Sequence, residues 1–164
     1  MTAARARSAA ETVVDPELPM LTLADLGVLR DVQVIDGAVE VAITPTYIGC
    51  PAMTAMCDDL ARALRAAGFA DVRVRVDLSV PWTTDWISER GRAALHAAGI
   101  SPPEAAPRHR GPVPLTLTPT RRPVTCPRCG GERTQVVSEF GATACKASYR
   151  CSNCLEPFEH LKGI

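Results

Sequence analysis

The sequence predicts a mixed α/β protein in two parts. Helical and strand patterns alternate over about residues 8–100, whereas the chain from residue 125 onward is short and rich in cysteine and glycine. Seven prolines separate the two parts, within residues 101–124. At 46% hydrophobic, the 164 residues are too apolar for an intrinsically disordered chain and suffice for one domain with a small satellite. We therefore expect a domain over 8–100, a semi-rigid linker over 101–124 and a second domain over 125–164.

The first part opens with a helix and a β-hairpin. Residues 5–14 are rich in alanine with a loose helical pattern, which Pro16 and Pro19 end. Valines then alternate with polar residues on both sides of Asp36-Gly37, a pair that favours a type I′ turn. This pattern predicts an antiparallel hairpin with one apolar face.

Two further helices and a strand follow. From about Pro51 to Ala67 apolar residues recur at helical spacing, and Gly68 ends the helix. Residues 72–78 alternate as a half-buried strand. The last helix begins after a corner at residues 82–85, and Gly99 is its predicted stop.

Charge is distributed unevenly along the chain. Residues 1–100 hold 9 basic and 13 acidic side chains, and residues 101–164 hold 9 and 5, so net charges of −4 and +4 cancel. A neutral chain with 4% aromatic residues is a poor candidate for nucleic-acid binding. No stretch approaches the about 18 apolar residues of a membrane span, and the N-terminus lacks the pattern of a secretory signal. We expect a cytoplasmic protein with no membrane or nucleic-acid partner.

The strongest motif is a pair of CxxC turns, Cys126-Pro-Arg-Cys129 and Cys151-Ser-Asn-Cys154, separated by 21 residues. A hairpin between two such turns brings four thiolates into tetrahedral geometry around one Zn²⁺. A segment of 40 residues with few large apolar side chains cannot build a sufficient core alone, and metal binding supplies the missing folding energy. We predict a structural zinc site, with a rubredoxin-like iron site as the alternative.

Two further side chains lie near this motif. Cys145 is interpreted as a strand residue near the site, with a role as substitute ligand left open. His160 could replace a cysteine ligand, but a solvated histidine in the tail is the favoured interpretation.

Cys50 is the candidate functional thiol. It precedes Pro51, and proline is favoured at the first helical position, so Cys50 is expected at or next to the helix N-cap. Unpaired N–H groups and the helix dipole at that place favour the thiolate over the thiol. Cys57, seven residues along the same helix, is interpreted as a core residue.

The acidic candidates are Asp15, Glu17 and Asp25, each in a predicted turn where carboxylates more often cap the chain than perform chemistry. The sequence has no phosphate-binding, nicotinamide-binding, hydrolase or zinc-protease motif. It also has no Glu-x-x-His pair for a di-iron bundle. The sequence therefore gives no positive evidence of catalysis.

Three segments of the first part resemble the MIP-18 family of iron–sulfur assembly factors, namely Asp15-Pro-Glu-Leu-Pro19, Asp25-Leu-Gly27 and Thr44-Pro-Thr-Tyr-Ile-Gly-Cys-Pro51. The resemblance implies a small two-layer α/β domain in which Cys50 contacts an iron–sulfur cluster or iron transiently. Asp15 and Glu17 are then candidate co-ligands or loop residues. The stretch Tyr47-Ile48-Gly49 is bulkier than the matching loop of general assembly factors.

Three other segments resemble the PaaD (PaaJ) family of phenylacetyl-CoA oxygenase components, namely Pro81–Ile87, Gly99–Pro103 and the tail from Phe140 to Lys162. This resemblance implies an accessory component of a multicomponent enzyme that epoxidises phenylacetyl-CoA with a di-iron oxygenase and an iron–sulfur flavin reductase. Its leading role would be to mature or repair the metal centres of those subunits without catalysing the reaction. An electron-transfer subunit with iron on the tail cysteines is the alternative, and a homodimer is left open.

Overall fold

A computed structural model describes residues 2–105 and 124–163 of the chain. The chain is mixed α/β, as predicted, and it divides into two units, Met1–Ala94 and Leu95–Ile164. Within the described residues, no helix is long and apolar enough to cross a membrane.

The first unit is built from a three-stranded sheet and the helices packed on it. Its helices and strands are α1 (Ala3–Ala10), β1 (Leu29–Ile35), β2 (Ala38–Ile43), α2 (Met53–Ala66), β3 (Val72–Val76) and α3 (Glu89–Ala97), which continues into the second unit. The strand order is β1-β2-β3, with β1 and β2 antiparallel and β2 and β3 parallel. Helix α1 packs on β1 and helix α2 packs on β3, so the unit has the two layers that the family resemblance implies.

The hairpin of β1 and β2 forms as predicted. Asp36 and Gly37 have φ values of 50° and 85°, the positive values that a type I′ turn requires. Val39, Val41 and Ile43 point to one side of β2 and are fully buried. They pair with Val72, Val74 and Val76 of β3, which extends the same apolar face across the sheet.

The bounds of two predicted helices differ from expectation. Helix α1 ends at Ala10 rather than at residue 14, because Val14 instead pairs with Thr22 in an isolated β-bridge. Helix α2 begins at Met53 rather than at Pro51, and its N-cap Ala52 contributes no side-chain hydrogen bond. Helix α3 ends at Ala97, and the predicted stop Gly99 follows it with φ of 78°.

The second unit contains a four-stranded sheet in the order β4-β7-β6-β5. Its strands are β4 (Ile100–Ser101), β5 (Thr134–Ser138), β6 (Lys146–Cys151) and β7 (Pro157–Leu161). Strands β5, β6 and β7 are antiparallel, and β4 lies parallel to β7. The predicted hairpin between the cysteine pairs is therefore present as β5 and β6.

The predicted linker over residues 101–124 is wrong at both ends. Ser101 lies in β4 and is buried, with hydrogen bonding to β7. Val124 is buried against Cys126, Cys151 and Phe158 in the core of the second unit. Residues 106–123, which hold most of the predicted linker, lie outside the described residues.

Candidate metal centre and thiol site

The four predicted metal ligands converge. The Sγ atoms of Cys126, Cys129, Cys151 and Cys154 all lie within 4.8 Å of one another. Two of these Sγ–Sγ distances are 3.8 Å, between Cys126 and Cys154, and 3.6 Å, between Cys129 and Cys151. A tetrahedral ion with metal–sulfur bonds of about 2.3 Å places neighbouring sulfurs about 3.8 Å apart. The arrangement therefore fits a single tetrahedral metal ion bound by four thiolates.

Each cysteine pair sits on the same kind of turn, here called a knuckle. In the first knuckle the N–H of Gly130 donates to the carbonyl of Cys126, and in the second the N–H of Leu155 donates to the carbonyl of Cys151. Both donors have positive φ, 72° at Gly130 and 64° at Leu155. The second knuckle therefore places a leucine where the left-handed conformation favours glycine.

Backbone N–H groups also point at sulfur. In the second knuckle the N–H of Asn153 donates to Cys151 Sγ at 3.3 Å. The pKa of Cys151 is lowered to about 6, first by a hydrogen bond from the N–H of Cys154 and further by that of Asn153. The N–H of Glu156 would lower the pKa of Cys154, but burial and the neighbouring thiols raise it to about 12. Metal binding therefore releases a proton from the thiol of Cys154, which resists ionisation in the metal-free chain.

Cys145 and His160 are not part of this cluster. Cys145 lies just before β6, with its Sγ 3.0 Å from the hydroxyl of Thr143. His160 lies in β7 with Nδ1 3.1 Å from the carbonyl of Ser101, and its ring meets Tyr149 edge-on. The prediction of a solvated tail histidine is wrong, because burial lowers the pKa of His160 and its ring packs into the sheet.

Cys50 lies on the loop between β2 and α2 and is buried, with 8% of its surface exposed. It stands two residues before the N-cap Ala52, whereas the sequence predicts a place at or next to the N-cap. Burial raises the pKa of Cys50, and the charges of Glu17 and Asp15 raise it further. Hydrogen bonds from the N–H of Ala52 and from the side chain of Tyr47 lower it only in part. The metal-free chain therefore favours the thiol of Cys50, contrary to the sequence expectation.

The acidic candidates Asp15 and Glu17 are close enough to act electrostatically on Cys50. Asp15 is buried, and its Oδ1 accepts hydrogen bonds from the N–H groups of Glu17 and Leu18 at 2.8 and 2.9 Å. Asp15 thus shapes the turn that carries Glu17 toward the thiol. Among residues 2–105 and 124–163, the cysteine cluster of the second unit is the one group of three or more metal-ligating side chains that converges on a common point.

Asp25 and Cys57 have structural surroundings. Asp25 is buried and accepts hydrogen bonds from Thr22, Ser88 and Arg90. Burial alone would raise the pKa of Asp25, but these hydrogen bonds and the charge of Arg90 hold it below its usual value. Cys57 is only half-buried, so the prediction that it fills the core is wrong. Burial raises the pKa of the Cys57 thiol, and the charge of Asp58 raises it further.

The comparison with known proteins covers nearly the whole chain. Residues 110–162 match the family described as the PaaD zinc beta ribbon domain, and residues 4–78 match that of the iron–sulfur cluster assembly protein. Over 152 residues the chain is 42% identical to an Escherichia coli (strain K12) protein whose name makes it a subunit of 1,2-phenylacetyl-CoA epoxidase. That alignment spans 93% of this chain and 87% of the relative. The chain belongs to the PaaD family.

The first unit alone has other relatives. An Fe-S protein maturation auxiliary factor of Bacillus subtilis (strain 168) is 35% identical, over 53% of this chain and 86% of the relative. The crystal structure of a DUF59 domain from Bacillus anthracis matches with a TM-score of 0.53 and 26% identity, over 57% of this chain and 90% of that one. A conserved hypothetical protein of Thermotoga maritima matches with a TM-score of 0.50 and 29% identity, over 58% and 94%. These relatives match 53–58% of this chain, whereas the Escherichia coli protein matches 93% of it.

Sequence reasoning did not assign Tyr47 to the Cys50 site or Leu155 to a left-handed turn. Tyr47 stands three residues before Cys50 in a loop whose unusual bulk is visible in the sequence, and that bulk is the signal that could have identified it. Leu155 stands four residues after Cys151, as Gly130 stands four after Cys126. Aligning the two knuckles would have shown the missing glycine.

Proposed function

We propose that this chain is an accessory component of a multicomponent phenylacetyl-CoA epoxidase, and that it matures or repairs the iron–sulfur or iron centres of the oxygenase and reductase subunits. The observation that carries the proposal is that one chain matches both an iron–sulfur assembly family and the PaaD zinc ribbon family. The chain is also 42% identical to a protein named as an epoxidase subunit. The same role places the protein in the reducing cytoplasm, where its seven thiols stay reduced.

In this proposal Cys50 contacts the metal cargo through its sulfur. The thiol resists ionisation because it is buried beside Asp15 and Glu17, so it binds iron only when the cargo displaces its proton. A single thiol cannot hold a cluster securely, which suits transfer better than storage. Glu17 and Asp15 are the nearby carboxylates that could join it as co-ligands, since carboxylate oxygens also bind iron.

The four-cysteine site is proposed to hold one structural zinc. Four thiolates closed around an ion leave no open coordination position, which is typical of structural sites. The apolar core around it consists of Val124, Cys126, Cys151 and Phe158, so two of the core residues are themselves ligands. Zinc binding contributes on the order of 10–16 kcal/mol in small metal-stabilised domains, and it would supply folding energy that this core lacks.

Electron transfer through an iron ion on the same four thiolates is the second candidate. The Sγ–Sγ distances of 3.6 and 3.8 Å favour it equally, because iron–thiolate and zinc–thiolate bonds have nearly the same length. Metal analysis of protein purified without air separates the two. About one zinc per chain in a colourless protein supports the structural site, whereas a red, redox-active protein containing iron supports electron transfer.

Maturation is tested with the oxygenase and reductase subunits produced in cells that lack this chain. We expect them to carry less iron and sulfide than subunits produced with it, and the wild-type chain to restore both. Cys50→Ser should fail to restore them, while the matched variant Cys57→Ser should succeed. Fully metallated and active subunits in the absence of this chain would contradict the maturation role.

A further inference from the structure

Exposed apolar side chains of the first unit concentrate at one end of its sheet. Four of them, here called the apolar rim, are Ile48 (87% exposed), Val76 (46%), Leu78 (57%) and Val80 (56%). Large apolar side chains left in solvent as a group indicate an interaction site more than single ones do.

The backbone places these residues at a common edge. Strands β2 and β3 are parallel, so their carboxyl ends open on the same side, and Ile43 pairs with Val76 at the last register position. Beyond it, the N–H of Asp77 donates to the carbonyl of Ile43 at 2.8 Å, and the hydroxyl of Thr44 donates to the carbonyl of Asp77 at 2.9 Å. The loop toward Ile48 and the segment toward Val80 therefore leave the sheet side by side.

Cys50 lies on the same loop, two residues after Ile48. Gly49 between them has φ of +88°, and a Cβ added there would meet no atom within 4 Å. The backbone before the thiol is thus open to an approaching surface, although Cys50 itself is only 8% exposed. Ile48 and Gly49 are thus the exposed residues that precede the thiol on this loop.

The surrounding charge defines the partner further. The negative charges of Asp15 and Glu17 reach Cys50, and residues 1–94 hold 13 acidic against 9 basic side chains. An acidic setting attracts a surface with basic side chains and repels an acidic one. Apolar side chains spread over two segments match the flat apolar centre of a protein interface better than a small molecule, which binds in concave sites.

We propose that the apolar rim is the docking surface for the client protein, which presents an apolar patch bordered by lysine or arginine. This inference rests on the proposed function, since the client is the subunit whose metal centre is matured. Docking on the rim brings the client's own metal ligands over Cys50 and supplies the co-ligands that a single thiol needs.

The test measures the dissociation constant of the full-length chain for the purified metal-free reductase subunit and, separately, for the metal-free oxygenase subunit. We expect Ile48→Asp and Leu78→Asp each to weaken binding to one of these subunits by about tenfold or more, the loss typical of an interface hot spot. Higher ionic strength should weaken binding of the wild-type chain as well. Ile35→Asp is the matched control, because Ile35 is 45% exposed but lies at the opposite end of the sheet, beside the hairpin turn. Ile48→Ala separates loss of apolar contact from the added charge.

Wild-type binding to neither subunit would overturn the proposal, as would equal binding by Ile48→Asp and the wild type or equal weakening by Ile35→Asp. A wild-type dimer that Ile48→Asp dissociates would assign the rim to a second copy of this chain instead.

Cys50→Ser distinguishes failure of the rim from failure of the proposed function. If it binds normally and still restores metal to the subunits, the proposed role of the thiol fails while the rim stands. If rim variants bind normally and only Cys50→Ser loses maturation, the rim fails while the function stands.

Discussion

The two units place cysteine in opposite settings. In the second unit four Sγ atoms lie within 4.8 Å of one another, and their mutual contacts leave the pKa of Cys151 lowered to about 6 and that of Cys154 raised to about 12. In the first unit Cys50 lies in a buried loop beside two carboxylates that raise its pKa. The four converging thiols of the second unit suit metal binding, whereas burial and the two carboxylates keep the Cys50 thiol protonated in the metal-free chain. The backbone and the charges around a cysteine therefore decide whether its thiol is set to bind metal or to stay protonated.

The units also differ in what holds them together. Leucines and valines fill the core of the first unit, among them Leu21, Leu23, Leu60 and Leu64, all fully buried. Among the described residues, the core around the cysteines of the second unit consists of Val124, Cys126, Cys151 and Phe158, with Tyr149 packed against it. The second unit also buries Leu95, Ile100, Ala147 and Leu161, so its apolar core is smaller than that of the first unit. Removal of metal should therefore affect one unit and spare the other.

The largest expected effect is that of Cys126→Ser in the full chain. Loss of one of four thiolates should release the metal and unfold the ribbon, because metal binding contributes on the order of 10–16 kcal/mol. Metal content per chain and amide NMR spectra measure this, and the signals of the first unit should persist. Cys145→Ser is the control, since Cys145 lies outside the cluster, and it should keep the metal. A ribbon that stays folded without metal would remove the contrast between the units.

Asp25→Asn tests what stabilises the first unit, which we expect not to depend on metal. Its folded pKa is lowered, so the carboxylate contributes stability that is present above an unfolded pKa of about 3.9 and is lost as pH falls through the lower folded value. The variant should lose roughly 1–3 kcal/mol at neutral pH through the broken hydrogen bonds of Thr22 and Ser88. Denaturant unfolding of the first unit against pH measures this. Its stability should depend less on acid than that of the wild type, and an unchanged acid dependence would contradict the assignment.

Glu17→Gln tests whether nearby negative charge keeps Cys50 protonated, in contrast to the thiols of the metal centre. Removal of this negative charge should lower the pKa of Cys50 and speed its alkylation several-fold at a fixed pH below that pKa, because the thiolate is the reactive form. Mass spectrometry of iodoacetamide-treated protein gives the rate at Cys50. Glu11→Gln serves as the control, since Glu11 is an exposed acid paired with Arg7. Equal rates in both variants would mean that the charge of Glu17 does not govern the thiol.

The smallest effects come from the two knuckles. Gly130→Ala should destabilise the ribbon by about 1 kcal/mol, because its φ of 72° suits glycine. Leu155→Gly should have the opposite sign and a similar size, since Leu155 holds φ of 64° and its side chain is exposed. Chelator resistance of the metal site measures both. Changes of the same sign would show that the knuckles are not equivalent.

Local sequence signals predicted local structure well. Asp36-Gly37 specified the hairpin turn and each CxxC pair specified its own knuckle, because in each case the chemistry lies within a few bonded residues. The meeting of the two knuckles depends on the hairpin of β5 and β6 between them. Helix ends were less predictable. Val14 continues the helical pattern of the residues before it, yet it forms a β-bridge with Thr22. That pairing depends on the turn that the chain makes between Val14 and Thr22. Pro51 is suited to the first helical turn, yet α2 begins at Met53.

The sequence by itself determined the order of helices and strands in the first unit, the four cysteines that converge in the second unit and the family, because these depend on residue type and spacing. It did not predict β4 or β7. Only the tertiary structure decided the state of Cys50. Its pKa follows from burial and from Glu17 and Asp15, which stand more than thirty positions earlier and reach it only through the folded chain. Tertiary structure likewise joined Ser101 to β7 and brought the segments of the apolar rim to one edge. Electrostatic and packing energies depend on distances in space, which residue spacing along the chain does not specify.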